Sequence, residues 1–453
     1  MGFCLLILFL IMELTLLVSS FTKCKEKRDW LLIRMIVRAS ELVAFSLVML
    51  LPNVTFDFKY KLCFWILMIR VAKAVILYFI KRNTISGSRS KVGAVFAALG
   101  SIVMLGFALI PSFLFAEYDG LPTSGSYSVK QTSAILIDES RIESFETDGS
   151  YREVPVHFYY PEVPDNETQK FPLVVFSHGA FGYYQSNTST YQELASNGYV
   201  VVSLDHPYHS FFTEDTDGKL ITVNPQFLQE VMYVNEDSTP ESEINELSHK
   251  WLAIRLDDLS YAIDSIKEAT VKNALSSNWF MTEKNGENDL LSVLSMTDME
   301  KIGVMGHSLG GAASVTLGRE RDDIDAVIDL DGTMLGEQIS FENGRYRYNE
   351  EPYPVPILAI DTEYHYIGAL QYGNLYVNNE VLRNAADAHH TYFKDSGHMN
   401  FTDLPLFAPA LADLLGTGEI DATECIKTTN MIVLEYMNYY LKGEGEISLQ
   451  ECY

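Results

Sequence analysis

The chain has 453 residues, a formal net charge of −27 and 47% hydrophobic residues, a length that suits two or three domains. Residues 1–116 carry 14 Lys and Arg against 5 Asp and Glu, net +9, which leaves the remainder with 19 against 55, net −36. So acidic a body argues against nucleic acid as a partner, and five scattered Cys with no histidines at ligand spacing point to no metal and no cofactor.

The basic front reads as a membrane module. Segments 2–21, 30–51, 62–80 and 92–115 are each long and apolar enough, or nearly so, to span a bilayer. The first lacks a basic leader and its Lys and Arg follow it, which does not fit a cleaved signal peptide. The second and third carry Arg34, Arg38, Glu41, Arg70 and Lys73, charges expected to face the bundle interior and pair there, with Glu13 as one partner. Lys23, Lys25, Lys27 and Arg28 follow the first span, and Lys81, Arg82, Arg89 and Lys91 follow the third. The loop between spans two and three has only Lys59 and Lys61, and the next base after span four is Lys130. The positive-inside rule then puts both termini outside the cytoplasm. The expectation is an integral protein of the cell membrane, tethered through residues 1–116, with an extracytoplasmic body.

Residues 117–127 read as a linker, and 128–453 as one α/β domain. Strands are expected at 133–137 and 154–160, then at 172–176, a continuous apolar run ending in Ser177-His178-Gly179-Ala180-Phe181-Gly182. A helix starts at 191–195, and a strand at 199–204 closes on Asp205-His206-Pro207. Residues 211–245 are polar and acidic around a helix at 226–232, a lid-like insertion. The helix at 251–266 shows Leu252, Leu256, Leu259, Ile263 and Ile266 at helical spacing, a core stripe. Strands follow at 302–305, 326–330, 355–360 and 391–394. Alternation of strands and helices implies a mostly parallel sheet covered on both faces.

The strand at 302–305 runs into Gly306-His307-Ser308-Leu309-Gly310-Gly311 and then a helix of small residues. Strand, sharp turn and helix around G-x-S-x-G give the nucleophile elbow of the α/β-hydrolase fold, with Ser308 exposed on the turn. A serine nucleophile needs a base, and the base an orienting acid, in the chain order Ser, Asp or Glu, His. Only His365, His389, His390 and His398 follow Ser308. His389 and His390 enter a strand at its wrong end; His398 lies just past it and is the base, with His365 in reserve. For the acid, alternation sends Asp329 and Asp331 the same way, so periodicity leaves both open; Asp331, nearer the loop, is preferred. The oxyanion donors are the N–H of Leu309, opening the helix, and of Ala180, after the strand at 172–176. His178, His307, Asp205 and His206 read as packing residues beside their turns.

Phe176-Ser177-His178-Gly179, Gly306-His307-Ser308-Leu309-Gly310-Gly311, Leu330-Asp331, the strand from Pro356 to Glu363 and Gly397-His398-Met399-Asn400-Phe401-Thr402-Asp403 together resemble the plasma-type platelet-activating factor acetylhydrolases. The resemblance covers residues 158–442, including a closing helix near 428–441. It implies a calcium-independent serine esterase that releases short or oxidised acyl chains from phospholipids. Carried over, its triad falls on Ser308, Asp331 and His398, with oxyanion donors at Ala180 and Leu309. Leu309 replaces a frequent Phe, Gly332-Thr333 replaces a bulkier pair, and the four-helix front is foreign to the animal enzymes. The expected substrate is therefore a small-molecule or lipid ester, zwitterionic or neutral given the charge of −36. Rival readings are a general carboxylesterase, lipase or polyester-type hydrolase, a peptidase or thioesterase, and, in another class, a membrane sensor that only binds. Cys425 and Cys452 flank the closing helix, and a disulfide between them is expected in an oxidising compartment.

Overall fold

The computed structural model describes every residue except 23–25, 52–53, 86–89, 165–168, 237 and 284–285. Lys23, Lys25 and Arg89, which enter the orientation argument, lie outside the described residues. The chain divides into two compact units, Met1–Tyr118 with Phe407–Leu411, and Asp119–Leu406 with Ala412–Tyr453.

The first unit consists of α1 (Gly2–Thr22), α2 (Lys27–Met49), α3 (Phe58–Lys81) and α4 (Lys91–Leu114). Asp57 caps α3 by accepting the N–H of Lys59, and Ser90 caps α4 by accepting that of Gly93. Among the described residues, α1, α3 and α4 are long and apolar enough to cross a membrane. α2 is long enough, at 23 residues, but Arg34, Arg38 and Glu41 keep it out of that set. Phe9, Phe45, Leu67 and Leu105, one from each helix, meet in the core. Beside them Glu13 accepts hydrogen bonds from both Arg38 and Arg70. Arg38 also reaches Glu41 at 2.6 Å and Ser101 Oγ at 3.3 Å. The expected pairing of Glu13 is present twice over, because a lone carboxylate among apolar helices would be costly.

In the second unit β1 (Val129–Ile142), β2 (Tyr151–Pro161), β3 (Phe171–Ser177), α5 (Thr188–Ser196) and β4 (Val200–Leu204) come first. A hairpin of β5 (Phe212–Glu214) and β6 (Leu220–Thr222) leads to α6 (Pro225–Val234), α7 (Glu241–Lys272), β7 (Trp279–Met281) and α8 (Gly286–Met296). Then follow β8 (Thr297–His307), α9 (Leu309–Glu320), β9 (Ala326–Leu330) and the hairpin β10 (Gln338–Glu342)–β11 (Arg345–Tyr348). β12 (Ile357–Thr362), α10 (Glu363–Tyr372), α11 (Val377–Asn384), β13 (Ala388–Phe393), α12 (Leu404–Phe407), α13 (Pro409–Leu415) and α14 (Ala422–Met437) complete the order. Nine strands form one sheet in the order β13-β12-β9-β8-β3-β4-β2-β1-β7. From β13 to β4 neighbours run parallel; β2, β1 and β7 are antiparallel.

Both faces are covered, which explains the unbroken apolar run of β3. Leu173 and Val175 pack with α7, α8 and α9 through Leu259, Ile263, Leu290 and Ala313. Val174 and Phe176, on the opposite face by alternation, pack with α5 and α14 through Tyr191, Leu194, Val433 and Met437. Each such buried side chain contributes about 1.5–3 kcal/mol. The sheet carries its loops at the carboxyl ends of the parallel strands, and there Ser177, His307, Leu330 and Phe393 end their strands.

Two expectations need correction. The insertion at 211–245 is ordered as a hairpin and α6, and α7 begins at Glu241, ten residues before the expected start at 251. Pro240 stands at its N-cap and Glu241 and Glu243 in its first turn, where acids suit the helix dipole. Half of residues 241–250 are exposed and Ser248 alone is buried, so that stretch carries no apolar stripe to read. The disulfide between Cys425 and Cys452 is not formed; both thiols are free. Cys425 is buried on α14, its sulfur toward Asn400 O, whereas Cys452 lies in a segment that bridges to Tyr392 of β13. The helix carries one cysteine into a core while the final residues extend the sheet edge.

Candidate active site

Ser308 sits between β8 and α9 with φ 56° and ψ −123°, a conformation L-residues rarely adopt. Close packing around it demands glycine: a Cβ at Gly306 would lie 2.2 Å from Gly310 O, and one at Gly310 would lie 2.0 Å from Ser177 O. The tight turn therefore follows from the sequence G-x-S-x-G. Its N–H is held by Leu330 O at 2.9 Å, which ties the elbow to the strand bearing the acid.

β9 ends at Leu330, and Asp331 steps off it with φ 53°. Its buried carboxylate meets His398 Nδ1 at 2.6 Å through Oδ2 and the Thr362 N–H at 2.7 Å through Oδ1. His365 Nδ1 lies 2.8 Å from the same Oδ1, within ion-pair range but oblique for a hydrogen bond. Burial alone would raise the Asp331 carboxyl, but His365 and His398 outweigh it and hold it well below the usual carboxylate range. Asp329 has the opposite environment. Both its oxygens lack partners among the described residues, and Oδ1 stands 1.9 Å from where a Cβ of Gly311 would be. Burial, then the charges of Asp361 and Asp331, push its carboxyl well above the ordinary value. Asp329 is thus a carboxyl that burial drives toward its protonated form under the elbow, and Asp331 is the carboxylate that meets an imidazole.

His398 follows β13 on a loop pinned by Asn400, whose Oδ1 accepts the N–H of Gly397 and of Gly418, each at 2.8 Å. Its ring lies 4.5 Å from that of His307, the residue before Ser308, and His307 Nε2 is 3.1 Å from His398 O. Among the described residues no hydrogen bond joins Ser308 Oγ to His398; such contacts often tighten only when substrate binds. His307 is buried, and burial first, then His398, lowers its imidazole to about 3. It packs the turn uncharged at neutral pH and donates its Nε2–H to His398 O. The reserve histidine, His365, shares the acid with His398, their rings 6.2 Å apart. His390 bonds Asp361 Oδ2 at 2.8 Å, and His389 bonds Tyr440 at 2.9 Å; neither meets Asp331.

The loop after β3 completes the site. A Cβ at Gly179 would lie 3.2 Å from Ser308 Cβ, so this loop runs against the nucleophile. Ala180 follows on the turn and Leu309 opens α9. Neither N–H finds an acceptor among the described residues, which leaves both free for an oxyanion. Residues that the sequence reading passed over hold this loop. Arg255 of α7, fully buried, donates to His178 O, to Gly179 O at 3.3 Å and to Ser177 Oγ at 3.2 Å. Burial lowers its guanidinium to about 9, so it stays charged at neutral pH. Asp258, one turn on, takes Arg152 at 2.6 Å and His206 Nδ1 at 3.0 Å, and His206 Nε2 reaches Ser177 Oγ at 2.9 Å. Burial lowers His206 to about 4 and His178 well below its usual value; both are neutral supports, as their positions beside turns suggested. Charges at 255 and 258, amid the apolar stripe of α7, were the visible signal of this network.

Donor atoms of Asp331, Asp361 and His365 lie within 4.8 Å of one another. Of these groups, Asp331 is bonded by His398 and the Thr362 N–H and Asp361 Oδ2 by His390, while His365 Nδ1 and Asp361 Oδ1 have no hydrogen-bond partner among the described residues.

The family described as platelet-activating factor acetylhydrolase, isoform II, matches residues 152–449, well over half the chain. The chain belongs to this family. A platelet-activating factor acetylhydrolase of Gallus gallus is 25% identical over 284 residues, 60% of this chain and 63% of the relative. A probable 1-alkyl-2-acetylglycerophosphocholine esterase of Arthroderma benhamiae is 22% identical over 298 residues, 61% of this chain and 62% of the relative. The chain thus spans about three fifths of the length of these acetylhydrolase relatives. A ferulic acid esterase of Streptomyces cinnamoneus aligns with TM-score 0.52 and 20% identity, covering 73% of this chain and 95% of its own. At that identity it speaks for the fold alone, an α/β-hydrolase sheet preceded here by an α-helical unit. The acetylhydrolase match begins at Arg152 and leaves α1 to α4 unmatched.

Proposed function

We propose that this protein is a membrane-tethered serine ester hydrolase acting on short-acyl or oxidised-acyl, phospholipid-like esters. The observation that carries the reading is the His398–Asp331 contact of 2.6 Å beside a serine held at φ 56°. In the proposed cycle His398 takes the proton of Ser308 as its Oγ attacks the ester carbonyl. Asp331 holds the imidazole tautomer and stabilises the imidazolium, while the N–H groups of Ala180 and Leu309 receive the oxyanion. The protonated His398 then gives its proton to the leaving alcohol, and water resolves the acyl-enzyme by the same route. No step calls for a metal or cofactor.

The substrate class rests on family membership and on relatives named for acetylated ether phospholipids. The body's charge of −36 favours zwitterionic or neutral esters over anionic ones at low salt. We read α2 as a fourth span, its Arg38 paired with Glu13 and its Glu41 with Arg38 and Arg70 within the bundle, with both termini and the active site outside the cytoplasm. The test is kcat/KM of the purified chain on glycerophosphocholine and p-nitrophenyl esters from acetyl to palmitoyl. The reading requires a decline with chain length; a steady climb would make the protein lipase-like and end it.

A further inference from the structure

The acid of this site is shared. Asp331 offers Oδ2 to His398 and Oδ1 to His365, at 2.6 and 2.8 Å, with Oδ1 also accepting the Thr362 N–H. The sharing is a product of topology: His398 follows β13 and His365 lies on the first turn of α10, directly after β12, and these strands are neighbours. Thr362 caps α10 by accepting the His365 N–H at 3.2 Å, which fixes the start of the helix and the side chain's direction.

We propose that His365 is a positioning residue that acts through Asp331 on His398 and sets how the hydrolysis declines toward acid pH. This rests on the triad reading above. Ser308 attack leaves a positive charge on His398, and Asp331 is the counter-charge. When His365 is neutral, the carboxylate serves His398 alone. When it is protonated, a second cation sits on the same carboxylate, its ring 6.2 Å from that of His398, and imidazolium formation is opposed.

The groups facing His365 set the sign of its own titration. Asp331 and Asp361 approach from the ends of β9 and β12, and Asp361 is tied to His390 of β13. His398 and His307 stand on the other side, with Tyr376 near both carboxylates and Tyr364 beside it on α10. Burial would lower His365, but the two carboxylates prevail and raise it above its usual value. It therefore gains its proton earlier, as pH falls, than a free imidazole would. A partly exposed side chain, at 29%, lets the proton exchange with solvent. His365 is thus a proton-operated brake.

The experiment is kcat/KM for p-nitrophenyl acetate against pH for the full chain in detergent, wild type beside His365→Asn and His365→Gln. Wild type is expected to fall in two steps, partially as His365 protonates and completely as His398 does. The neutral variants should fall once, with complete loss roughly one pH unit higher, because His398 no longer faces a neighbouring cation. His365→Lys, charged throughout, should lose the first step and keep the depressed level. A merely structural role would lower the whole curve without changing its shape. Superimposable profiles for wild type and both neutral variants overturn the proposal. Ser308→Ala, run alongside, separates the two failures: turnover there undoes the triad itself, whereas an inert Ser308→Ala with unmoved profiles overturns only the role of His365.

Discussion

Asp258 and Asp331 are both buried carboxylates that hold a histidine, yet they serve opposite ends. Asp258 is enclosed: Arg152 and His206 take its oxygens, and the His206 side chain is 0% exposed. A proton gained there would be buried with it, so burial keeps His206 neutral, at about 4. Asp331 opens toward solvent through His398, whose side chain is 37% exposed. The same pair of residue types is a buried strut in one place and, in the proposed mechanism, a proton carrier in the other. What separates them is whether the imidazole can reach water and a reacting group, not its distance from the acid, which is 3.0 Å and 2.6 Å.

The comparison breaks first at the exposed pair. Ser308→Ala and His398→Ala should each lower kcat by about 10⁴ or more with the fold intact, as in any triad that works as a unit; circular dichroism and ester turnover check both halves. Asp331→Asn should lose activity on a similar scale, about 10⁴, whereas Asp329→Asn, replacing an acid that burial drives toward its protonated form, should lose less than about tenfold. If Asp329→Asn proved the more damaging, the acid would be misassigned. At the enclosed pair the effect should move from rate to stability. Asp258→Asn leaves buried Arg152 with Glu143 as its one remaining carboxylate and should cost about 3–5 kcal/mol in denaturant unfolding, so a variant with unaltered stability would deny it the role of strut.

A smaller effect follows from Asp329. Its folded pKa is raised, so the native state holds a proton that the unfolded chain releases above about pH 4. Wild-type stability should therefore decline as pH rises from there toward the raised value, and Asp329→Asn should remove that decline, gaining on wild type with increasing pH. Unfolding curves at pH 4 and pH 7 decide it; an equal difference at both would show that Asp329 is ionised in the fold. Smallest of all is the effect of reductant, expected to leave Tm unchanged because Cys425 and Cys452 are free. A drop would reveal a bond between them.

Much of this was legible beforehand, for definite reasons. Both-sided burial made β3 a continuous apolar run, and steric necessity made Gly306 and Gly310 markers of the elbow. Periodicity could not choose between Asp329 and Asp331 because it assumes both lie on the strand. Asp331 has already left it, with φ 53°, and that single rotation aims it at His398 while Asp329 stays beneath the elbow. The Arg255–Asp258 network is hidden by a core stripe, because the partners of its two charges lie from 52 to 106 residues away in the chain. α7 was read short because its first turns face solvent, and the disulfide was expected because flanking a helix in sequence was taken for proximity in space.

The central claim, that Ser308 is the activated nucleophile of an ester hydrolase, is tested most directly by covalent labelling. The full chain is treated with a fluorophosphonate probe at neutral pH, digested and read by mass spectrometry. One adduct on the peptide containing Ser308 is expected, strongly diminished in His398→Ala and persisting in Asp329→Asn. An adduct on another residue, or labelling of Ser308 that is indifferent to His398, would contradict the account.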